Sequence, residues 1–522
     1  EVSNGIYQKT NMARDIYSKI KTIEELSKII KGLKAKGNKI VHCHGVFDLL
    51  HPGHLKHFEA AKKKGNILVV TLTKDQDVNR GPGRPIFNQN LRSETLAAIE
   101  CVDFVAVNEW PTAVETIKKL KPDFYVKGSD YIKKEDDVTG KINEEEEAIK
   151  SVGGAIHFTD EMTFSSTSLI NTFIASYPEE TKKFLQQFKK NYPLKNIIEH
   201  LRGLENLKVL VIGDVIIDEY HYCVGMGKTQ KDNIIATRFI NNETFAGGAL
   251  AAANHIAGFS KNVTLLSTIG MKNDYTNFIV GHLKSHIKTN FYHCPGAHTV
   301  VKRRFVDANF LNKLFEICYL EEANHLPEAL ENDICGYLNS NLKDFDMVLV
   351  ADFGHGLITP KITKILSKKA KFLAVNVQTN SANLGFNLIT KFPRTDFICI
   401  DEPEIRLACH DKYSNLEQLI TKVSKKLKCD KVIITRGHRG SLGYSKKEGF
   451  RHIPVFSTEV VDRIGAGDAY FSITAPCAHN NHPIETIGFI GNAVGAMKVL
   501  IVGNRSSVEQ GPLLKYITTL LK

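Results

Sequence analysis

The clearest chemical signature in the sequence is DRIGAGDAYFS, residues 462–472. Gly465, Ala466 and Gly467 can present successive backbone N–H groups at the start of a helix, where they would form an anion hole for a transferring phosphoryl group. Asp468 follows in the first helical turn, where its carboxylate can accept the proton of a sugar hydroxyl. A glycine-rich turn with a capping aspartate is the alternative, but the complete run favours the catalytic interpretation.

A second strand–turn–helix pattern is GVFDLLHPGHLKHFEAA, residues 45–61. His51 and His54 are three residues apart and can lie on one side of the helix, where imidazoles can donate hydrogen bonds to nucleotide phosphates. Lys56 supplies a point charge suited to a substrate phosphate. Two histidines could also belong to a metal site or be structural, but the whole string favours nucleotidyl transfer. For Asp48, binding the substrate or loop and capping a turn remain equal alternatives.

Alternating strands and helices must hold both motifs in place. Residues 22–37 have helical apolar spacing and end at Gly37, a helix stop signal. The predicted strands are KIVHCHGVF, NILVVTLT, DFVAV and DFYVKG, and later VTLLSTIG, DMVLVAD, FLAVNV, DFICID and KVIITRG. Strands that alternate with helices at this spacing predict an α/β protein with parallel sheets covered on both faces.

A chain of 522 residues is too long for one ordinary core, which favours two domains. Residues 177–206 are charged and helical in pattern and contain no predicted strand, so they are interpreted as a helical connection. The expected organisation is therefore a first domain of residues 1–176, this connection, and a second domain of residues 207–522.

Composition favours a soluble globular protein, because 43% of the residues are hydrophobic and 24% are charged. No window approaches eighteen uninterrupted apolar residues, so a membrane span is not expected. The first residues lack the basic-then-apolar layout of a secretory signal. The ten cysteines are scattered without a CxxC pair, as expected for free thiols in a reducing cytoplasm. We therefore expect a cytoplasmic protein with no membrane partner.

The net charge of +11 is compatible with nucleic acid or with small anions as ligands. The lysines are spread over many amphipathic stretches, the chain has a single tryptophan, and no zinc-finger spacing is present. This pattern favours sugar phosphates and nucleoside triphosphates as partners, and no nucleic acid.

Beyond the HPGH motif, RPIFNQNLRSETLAAIECVDFVAV, KPDFYVKGSDY and FSSTSLI resemble the cytidylyltransferase-like nucleotidyltransferases, and among them the heptose-phosphate adenylyltransferases. The resemblance implies a Rossmann-like domain in which His51 and His54 stabilise the nucleotide phosphates and the transition state. The further phosphate or nucleotide contacts that it implies are Gly45, Phe47, Lys56, Arg92, Lys127, Asp130, Ser165, Ser166 and Thr167. Small hydroxyl groups at a helix N-terminus, as expected for the last three, suit phosphate binding.

The resemblance implies attack by a sugar phosphate on the α-phosphorus of a nucleoside triphosphate, with Mg²⁺ neutralising charge as pyrophosphate leaves. It favours ATP, although no motif specifies the base. The segment GHLK is also similar to glycerol-phosphate cytidylyltransferases. A CTP-dependent enzyme for a polyol or sugar phosphate is therefore the alternative.

Four segments, VLVIGDVIIDEY, FAGGALAAAN, ITRGHRGSLGY and DRIGAGD, together resemble the ribokinase-like sugar kinases, from residue 208 to the C-terminus. The resemblance makes Asp468 the catalytic base. Asp214 and Asp218, read as the end of a first strand, would bind sugar hydroxyls. HTVVKRRF matches the heptose-7-phosphate kinases and would lie near the acceptor phosphate. The other implied contacts are Gly247, Gly248, Thr299, Lys302 and Arg304 for the sugar phosphate, Thr435, Gly437, Gly465, Ala466 and Gly467 for the nucleotide phosphates, Asn492 for adenine and Glu404 for the metal.

Three positions depart from the kinase pattern, since Ala251 and Asp401 replace asparagines and Asn376 replaces an aspartate. The order of the domains is also reversed from that of the familiar bifunctional heptose enzymes. The combined resemblance implies a bifunctional enzyme that uses MgATP to phosphorylate heptose 7-phosphate at the anomeric hydroxyl and then makes a nucleotide-sugar from a sugar 1-phosphate. A catalytically silent sugar-binding module in the second domain is the alternative. The family also makes a homo-oligomer plausible.

Overall fold

The computed structural model describes residues 15–78, 84–128, 141–159, 177–273, 275–321, 326–457 and 459–521. The chain divides into two compact units, one up to residue 176 and one from Tyr177 to Leu521. Each unit has its own sheet and its own buried apolar core, so each can support a separate site.

The first unit is built on a parallel five-stranded sheet in the order β3-β2-β1-β4-β5. Its strands are β1 (Ile40–Gly45), β2 (Ile67–Leu72), β3 (Phe104–Val107), β4 (Phe124–Gly128) and β5 (Ala155–Thr159). Its α-helices are α1 (Ile23–Ala35), α2 (Pro52–Lys62), α3 (Gln89–Ala97), α4 (Val114–Leu120) and α5 (Lys141–Ser151). The four strands predicted in this unit are confirmed. Ligands of such sheets bind outside the carboxyl ends of the strands where the order reverses, here between β1 and β4.

The predicted helix that precedes β1 is also confirmed, and its start follows from local chemistry. Thr22 caps α1, because its side chain accepts a hydrogen bond from Glu25 N at 3.2 Å while Glu25 accepts one from Thr22 N at 2.9 Å. Ile23, Leu26 and Ile30 share one face of this helix and are buried. The helix therefore packs its apolar face on residues of the sheet.

The second unit has a nine-stranded sheet in the order β10-β9-β6-β13-β14-β15-β16-β17-β18. The pairs from β10 to β16 are parallel, and β17 and β18 are antiparallel. Its strands are β6 (Lys208–Gly213), β9 (Asn262–Gly270), β10 (Lys288–Cys294), β13 (Met347–Asp352), β14 (Leu373–Val377), β15 (Phe397–Asp401), β16 (Lys431–Thr435), β17 (Ser441–Ser445) and β18 (Gly449–Ile453). The five later strands predicted from the sequence all lie in this sheet.

A separate four-stranded sheet, in the order β12-β11-β7-β8, was not predicted. Its strands are β7 (Val215–Lys228), β8 (Ile235–Gly248), β11 (Val300–Asp307) and β12 (Lys313–Tyr319). The reading of Asp214 and Asp218 as the end of one strand was wrong. The chain leaves the large sheet after Gly213 and enters the small sheet at Val215, so that Asp214 lies between two strands and Asp218 lies within β7. The apolar run is almost continuous through this crossing, which conceals the change of sheet.

The α-helices of the second unit are α6 (Glu179–Asn191), α7 (Leu194–Arg202), α8 (Ala249–Ala257), α9 (Thr276–His282), α10 (Glu328–Asn341), α11 (Pro360–Lys369), α12 (Glu402–Cys409), α13 (Leu416–Lys426), α14 (Ala466–His479), α15 (Ile484–Lys498) and α16 (Gln510–Leu520). The segment interpreted as a connection is helical, and its helices α6 and α7 are part of this unit. Phe188 of α6 is buried, and its ring stacks on that of Phe489 with the centroids 4.2 Å apart. Among the described residues, no helix is both long and apolar enough to cross a membrane.

Candidate active sites

In the first unit, two histidine rings meet at the start of α2. His51 is the N-cap residue, and its Nδ1 accepts a hydrogen bond from Gly53 N at 3.2 Å. In the neutral ring this places the proton on Nε2, which can then donate to a phosphate. Burial lowers the pKa of His51 and so favours this neutral form. The rings of His51 and His54 have centroids 4.0 Å apart, so both imidazoles lie at the positive end of the helix.

The loop between β1 and α2 is held rigidly by neighbouring residues. A Cβ at Gly45 would lie 2.9 Å from the ring of Phe47, which itself packs edge-on against His54 with the centroids 5.5 Å apart. The carboxylate of Asp48 accepts hydrogen bonds from Ile86 N at 2.7 Å and Phe87 N at 3.2 Å. These contacts tie Asp48 to the segment that precedes α3, and its contact with a substrate stays a prediction.

Arg92 is buried, and its guanidinium ties this loop to the segment that follows β2. It donates to the carbonyl groups of Val46 at 2.6 Å and Thr73 at 2.9 Å, and it forms an ion pair with Asp75 at 2.6 Å. These bonds support the shape of the site through the backbone. A direct contact between Arg92 and a phosphate stays a prediction.

Lys127 lies near the carboxyl end of β4, across the switch point from Gly45, and its ammonium forms an ion pair with Glu145 at 2.8 Å. The burial of His57 lowers the pKa of that histidine to about 4, and the charge of Lys127 adds to this effect. Lys56 is exposed on α2. Four residues that the resemblance assigns to this site, Asp130, Ser165, Ser166 and Thr167, lie outside the described residues.

In the second unit, the helix N-terminus predicted from DRIGAGD is present. Gly465 is the N-cap of α14 with φ 75°, a left-handed conformation that favours glycine. A Cβ at Gly467 would meet nothing within 4 Å, so the space beside the first turn is open. Asp468 lies in this turn, and burial raises its pKa to about 6, with the Asp218 carboxylate adding to the effect.

The small sheet brings charged side chains to this helix. In the register of β7 and β11, Lys302 lies opposite Asp218. Lys302 is only 8% exposed, and we find no hydrogen bond or ion pair of its ammonium group within the described ranges. Its charge opposes the rise in the pKa of Asp468. An ammonium group that is held beside this helix without a protein partner is available to bind an anionic ligand.

Arg304, which the resemblance also assigns to the acceptor phosphate, is already engaged. It donates to Asp218 and forms an ion pair with Glu316 at 2.7 Å. Gly247 lies against the same carboxylate, because a Cβ there would be 2.2 Å from Asp218 Oδ2. Gly248 has φ 58°, and a Cβ there would be 2.5 Å from the carbonyl oxygen of Asp214. The two glycines thus allow β8 to approach both aspartates closely.

Asp214 holds a loop in place. Its carboxylate accepts hydrogen bonds from Phe353 N at 2.9 Å, His355 N at 3.2 Å and Leu357 N at 3.4 Å. Burial raises its pKa, and these N–H groups oppose the rise. A cavity of about 230 Å³ is lined by Asp214, His355 and Thr299, among others.

His355 is a candidate site residue that the sequence analysis missed. Both of its ring nitrogens are buried without a hydrogen-bond partner in the part of the chain that the structure describes. Burial lowers its pKa to about 4, with the charge of Lys302 contributing, so the ring is neutral at neutral pH. A polar residue between Gly354 and Gly356, directly after β13, was the signal that could have identified it.

The remaining predicted residues lie near the ends of strands of the large sheet or on helices of the same unit. Thr435 ends β16, and Gly437 follows with φ 56°. Asn492 donates from Nδ2 to the carbonyl groups of Ile453 at 3.0 Å and Pro454 at 2.8 Å, so its amide anchors the segment after β18. Its contact with adenine, like the triphosphate contacts of Thr435 and Gly437, stays a prediction.

Glu404 and Asp401 form a reciprocal cap at the start of α12, in which each carboxylate accepts the other residue's N–H at 2.8 Å. Burial raises the pKa of Glu404 to about 8, and the neighbouring Asp401 adds to the rise. Two adjacent acidic groups fit a Mg²⁺ ion held by one or two carboxylates, water and substrate phosphates. No cluster of three or more metal-ligating side chains occurs among the residues described.

Comparison with known proteins supports both halves of this description. Residues 206–510 match the family model for pfkB family carbohydrate kinases, and residues 42–173 match the cytidylyltransferase-like model. These two matches confirm the predicted order of the domains. Asp468 and the small sheet lie within the first of these ranges, and the two histidines within the second.

Curated relatives match the nucleotidyltransferase region. The bifunctional protein HldE of Trichlorobacter lovleyi is 39% identical over 172 residues, which are 32% of this chain and 33% of the relative. The HldE protein of Aliarcobacter butzleri is 44% identical over 140 residues, which are 26% of this chain and 29% of the relative. The chain thus spans about a third of the length of these relatives.

Among solved structures, Escherichia coli phosphofructokinase-2 in complex with substrates and products aligns with a TM-score of 0.49 and 12% identity. The alignment covers 60% of this chain and all of that one. The kinase family model alone matches more than half of the sequence. The chain therefore belongs to the pfkB family of carbohydrate kinases, with a cytidylyltransferase-like domain preceding the kinase domain.

Proposed function

We propose that this protein is a bifunctional sugar-activating enzyme. Its kinase would phosphorylate a sugar phosphate with ATP, and its nucleotidyltransferase would convert a sugar 1-phosphate and a nucleoside triphosphate into a nucleotide-sugar and pyrophosphate. The observation that carries the proposal is the arrangement around α14, in which Asp468 lies in the first turn of the helix and the unpaired, buried Lys302 lies close by. This arrangement supplies a base and a site for an anionic acceptor.

In the kinase, the carboxylate of Asp468 would accept the proton of the attacking sugar hydroxyl. The backbone N–H groups of Gly465, Ala466 and Gly467 would receive the charge that develops on the transferred phosphoryl group. Lys302 would bind the phosphate that the acceptor already carries. When bound, Mg²⁺ would neutralise the phosphate charges of ATP, and Glu404 is the residue proposed to hold it.

In the nucleotidyltransferase, His51 and His54 would donate hydrogen bonds to the nucleotide phosphates at the N-terminus of α2. The donors would strengthen their bonds as negative charge moves onto the departing pyrophosphate. Asp48 and Arg92 would act indirectly, since both hold the loop between β1 and α2 in position.

For the substrate, we propose heptose 7-phosphate for the kinase and heptose 1-phosphate with ATP for the nucleotidyltransferase. The motifs HTVVKRRF and FSSTSLI support this choice through their resemblance to the heptose-activating enzymes. A separate phosphatase must act between the two reactions, because the kinase product would carry two phosphates and the nucleotidyltransferase substrate only one.

The proposal is tested by measuring pyrophosphate release from heptose 1-phosphate with ATP or CTP in the presence of Mg²⁺, and ADP formation with heptose 7-phosphate. Release that prefers ATP, together with ADP formation, is the expected result. Turnover with CTP alone would contradict the adenylyl assignment and favour a cytidylyltransferase. If no sugar phosphate gave ADP, the result would favour a catalytically silent second domain. The departures from the kinase pattern at Ala251, Asn376 and Asp401 motivate this alternative.

Lys302→Met is expected to raise the KM for the sugar phosphate about 10- to 100-fold while changing the KM for ATP little, because the charge-assisted hydrogen bond to the acceptor phosphate is lost. The measurement is initial-rate kinetics with each substrate varied in turn. Lys288→Met, at an exposed lysine on β10, is the matched control and should leave both constants unchanged. An unchanged sugar KM in Lys302→Met would contradict the proposed role.

A further inference from the structure

Lys498 is a fully buried lysine that the mechanism above does not use. It is the last residue of α15 and has no exposed surface. Its ammonium donates hydrogen bonds to the carbonyl group of Ile464 at 2.9 Å and to that of Gly503 at 2.6 Å. A buried ammonium is retained only where bonds of this kind offset its loss of hydration.

Asp462 binds the same two residues with the opposite polarity. Its carboxylate accepts hydrogen bonds from Ile464 N at 3.1 Å and Gly503 N at 2.8 Å. One anion therefore takes the N–H groups, and one cation the carbonyl groups, of both Ile464 and Gly503. We call this arrangement of Asp462 and Lys498 around the two peptide segments the two-charge clamp.

The two-charge clamp is next to the proposed anion hole in the chain. Ile464 immediately precedes Gly465, the left-handed N-cap of α14. A Cβ at Gly465 would lie 3.3 Å from Lys498 Cε and 2.4 Å from Asn504 Oδ1. The lysine stem thus packs against the turn whose N–H groups would receive the phosphoryl charge, and its ammonium is bonded to the residue that precedes this turn.

The charges around Lys498 fit a role in the reaction. The carboxylates of Asp462, Asp468 and Asp218 and the ammonium of Lys313 all act on it electrostatically. Burial lowers the pKa of Lys498 to about 8, so it is still mainly protonated at neutral pH. In turn its charge opposes the rise in the pKa of Asp468, an effect that Lys302 shares.

We propose that Lys498 is a positioning residue for phosphoryl transfer, whose buried ammonium holds in place the Ile464–Gly465 turn that leads into Asp468. The inference rests on the proposed kinase function and adds to it a residue that need not touch either substrate. It distinguishes Lys498 from Lys302, which would affect the binding of the acceptor. The two lysines therefore predict different kinetic signatures.

The test replaces Lys498 with Met, which keeps the length of the side chain but removes the charge and both hydrogen bonds. We expect kcat for sugar phosphorylation to fall about 100-fold, as when one donor of an anion hole is misplaced, with the sugar KM changed less than about threefold. The acid limb of the kcat/KM profile should also move to higher pH, because Asp468 loses a stabilising cation. A purely structural role would not move this limb.

Lys431→Met is the matched control. Its ammonium also binds a backbone carbonyl group of α14, that of Ala478 at 3.1 Å, but at the far end of the helix from Asp468. This variant should keep the kcat and the acid limb of the unaltered protein. A second variant, Lys498→Gln, keeps N–H donors without the charge, so it should restore part of kcat while leaving the acid limb displaced.

Unchanged kcat and an unchanged acid limb in both Lys498 variants would overturn the inference. So would the failure of both variants to fold, judged by thermal unfolding, because Lys498 would then be a determinant of folding and not of position. Both measurements are made on an enzyme whose phosphorylation of a sugar has first been established. A lack of ADP formation by the unaltered protein would instead contradict the proposed function itself.

Discussion

Asp468→Asn is expected to lower sugar phosphorylation about 1000-fold, within the range of general-base contributions, without impairing pyrophosphate release by the first unit. Asparagine is nearly isosteric but cannot accept the proton of the attacking hydroxyl. The helix start at Gly465 does not depend on this side chain, because no side-chain hydrogen bond caps α14. The variant should therefore fold normally and lose turnover, which is measured as ADP formation with the sugar KM determined alongside.

The unaltered kinase should also lose activity as the pH falls through about 6, the value to which burial raises the pKa of Asp468. The base works only when deprotonated, so kcat/KM should decrease tenfold for each further pH unit below that value. Kinase turnover that survives in Asp468→Asn would refute the assignment of the base. Pyrophosphate release by the same preparation serves as the internal control for folding of the first unit.

His54→Ala should have the converse effect, with nucleotidyl transfer lowered about 100- to 1000-fold and sugar phosphorylation retained. The ring centroids of His54 and His51 are 4.0 Å apart at the N-terminus of α2, where charge would develop on the leaving pyrophosphate. Pyrophosphate release with saturating nucleotide measures the loss. His54→Asn, which can still donate a hydrogen bond from its amide, should recover part of the rate.

The kinase activity of His54→Ala is the reciprocal control, because the two histidines and Asp468 lie in different units. If pyrophosphate release persisted at the rate of the unaltered protein, the HPGH segment would have no part in the chemistry. A loss of both activities would point to impaired folding, which thermal unfolding of the variant can detect.

Local patterns were sufficient to predict four of the five strands of the first sheet, most of the parallel strands of the large sheet and the two helix N-termini. KIVHCHGVF and KVIITRG are apolar runs bounded by polar segments, and glycines follow or precede the helices at fixed positions. These features arise from contacts between residues close in sequence. The Gly465–Asp468 turn could be identified for that reason, and so could the adjacency of His51 and His54.

The small sheet and the supporting residues could not be predicted in the same way. The strands β7 and β11 pair across some eighty residues of chain, so that Lys302 meets Asp218 only in the folded register. In the sequence, Lys498 is only a polar residue at the end of a helical segment. Its hydrogen bonds to the carbonyl groups of Ile464 and Gly503 form only in the folded protein. The carbonyl partners of Arg92 likewise come from segments far apart in the sequence, and its contact with a phosphate stays a prediction.

The helices α6 and α7 determine where a kinase fragment can be cut. Phe188 stacks on Phe489, a residue within the range that matches the kinase family model. The hydroxyl group of Thr181 donates a hydrogen bond to the carbonyl group of Val455 at 3.5 Å. A kinase fragment cut at residue 207 would lose these contacts and expose an apolar surface that promotes aggregation. The helical pair is therefore part of the folded unit that contains the kinase family region, and a kinase fragment meant to fold by itself should begin before Glu179.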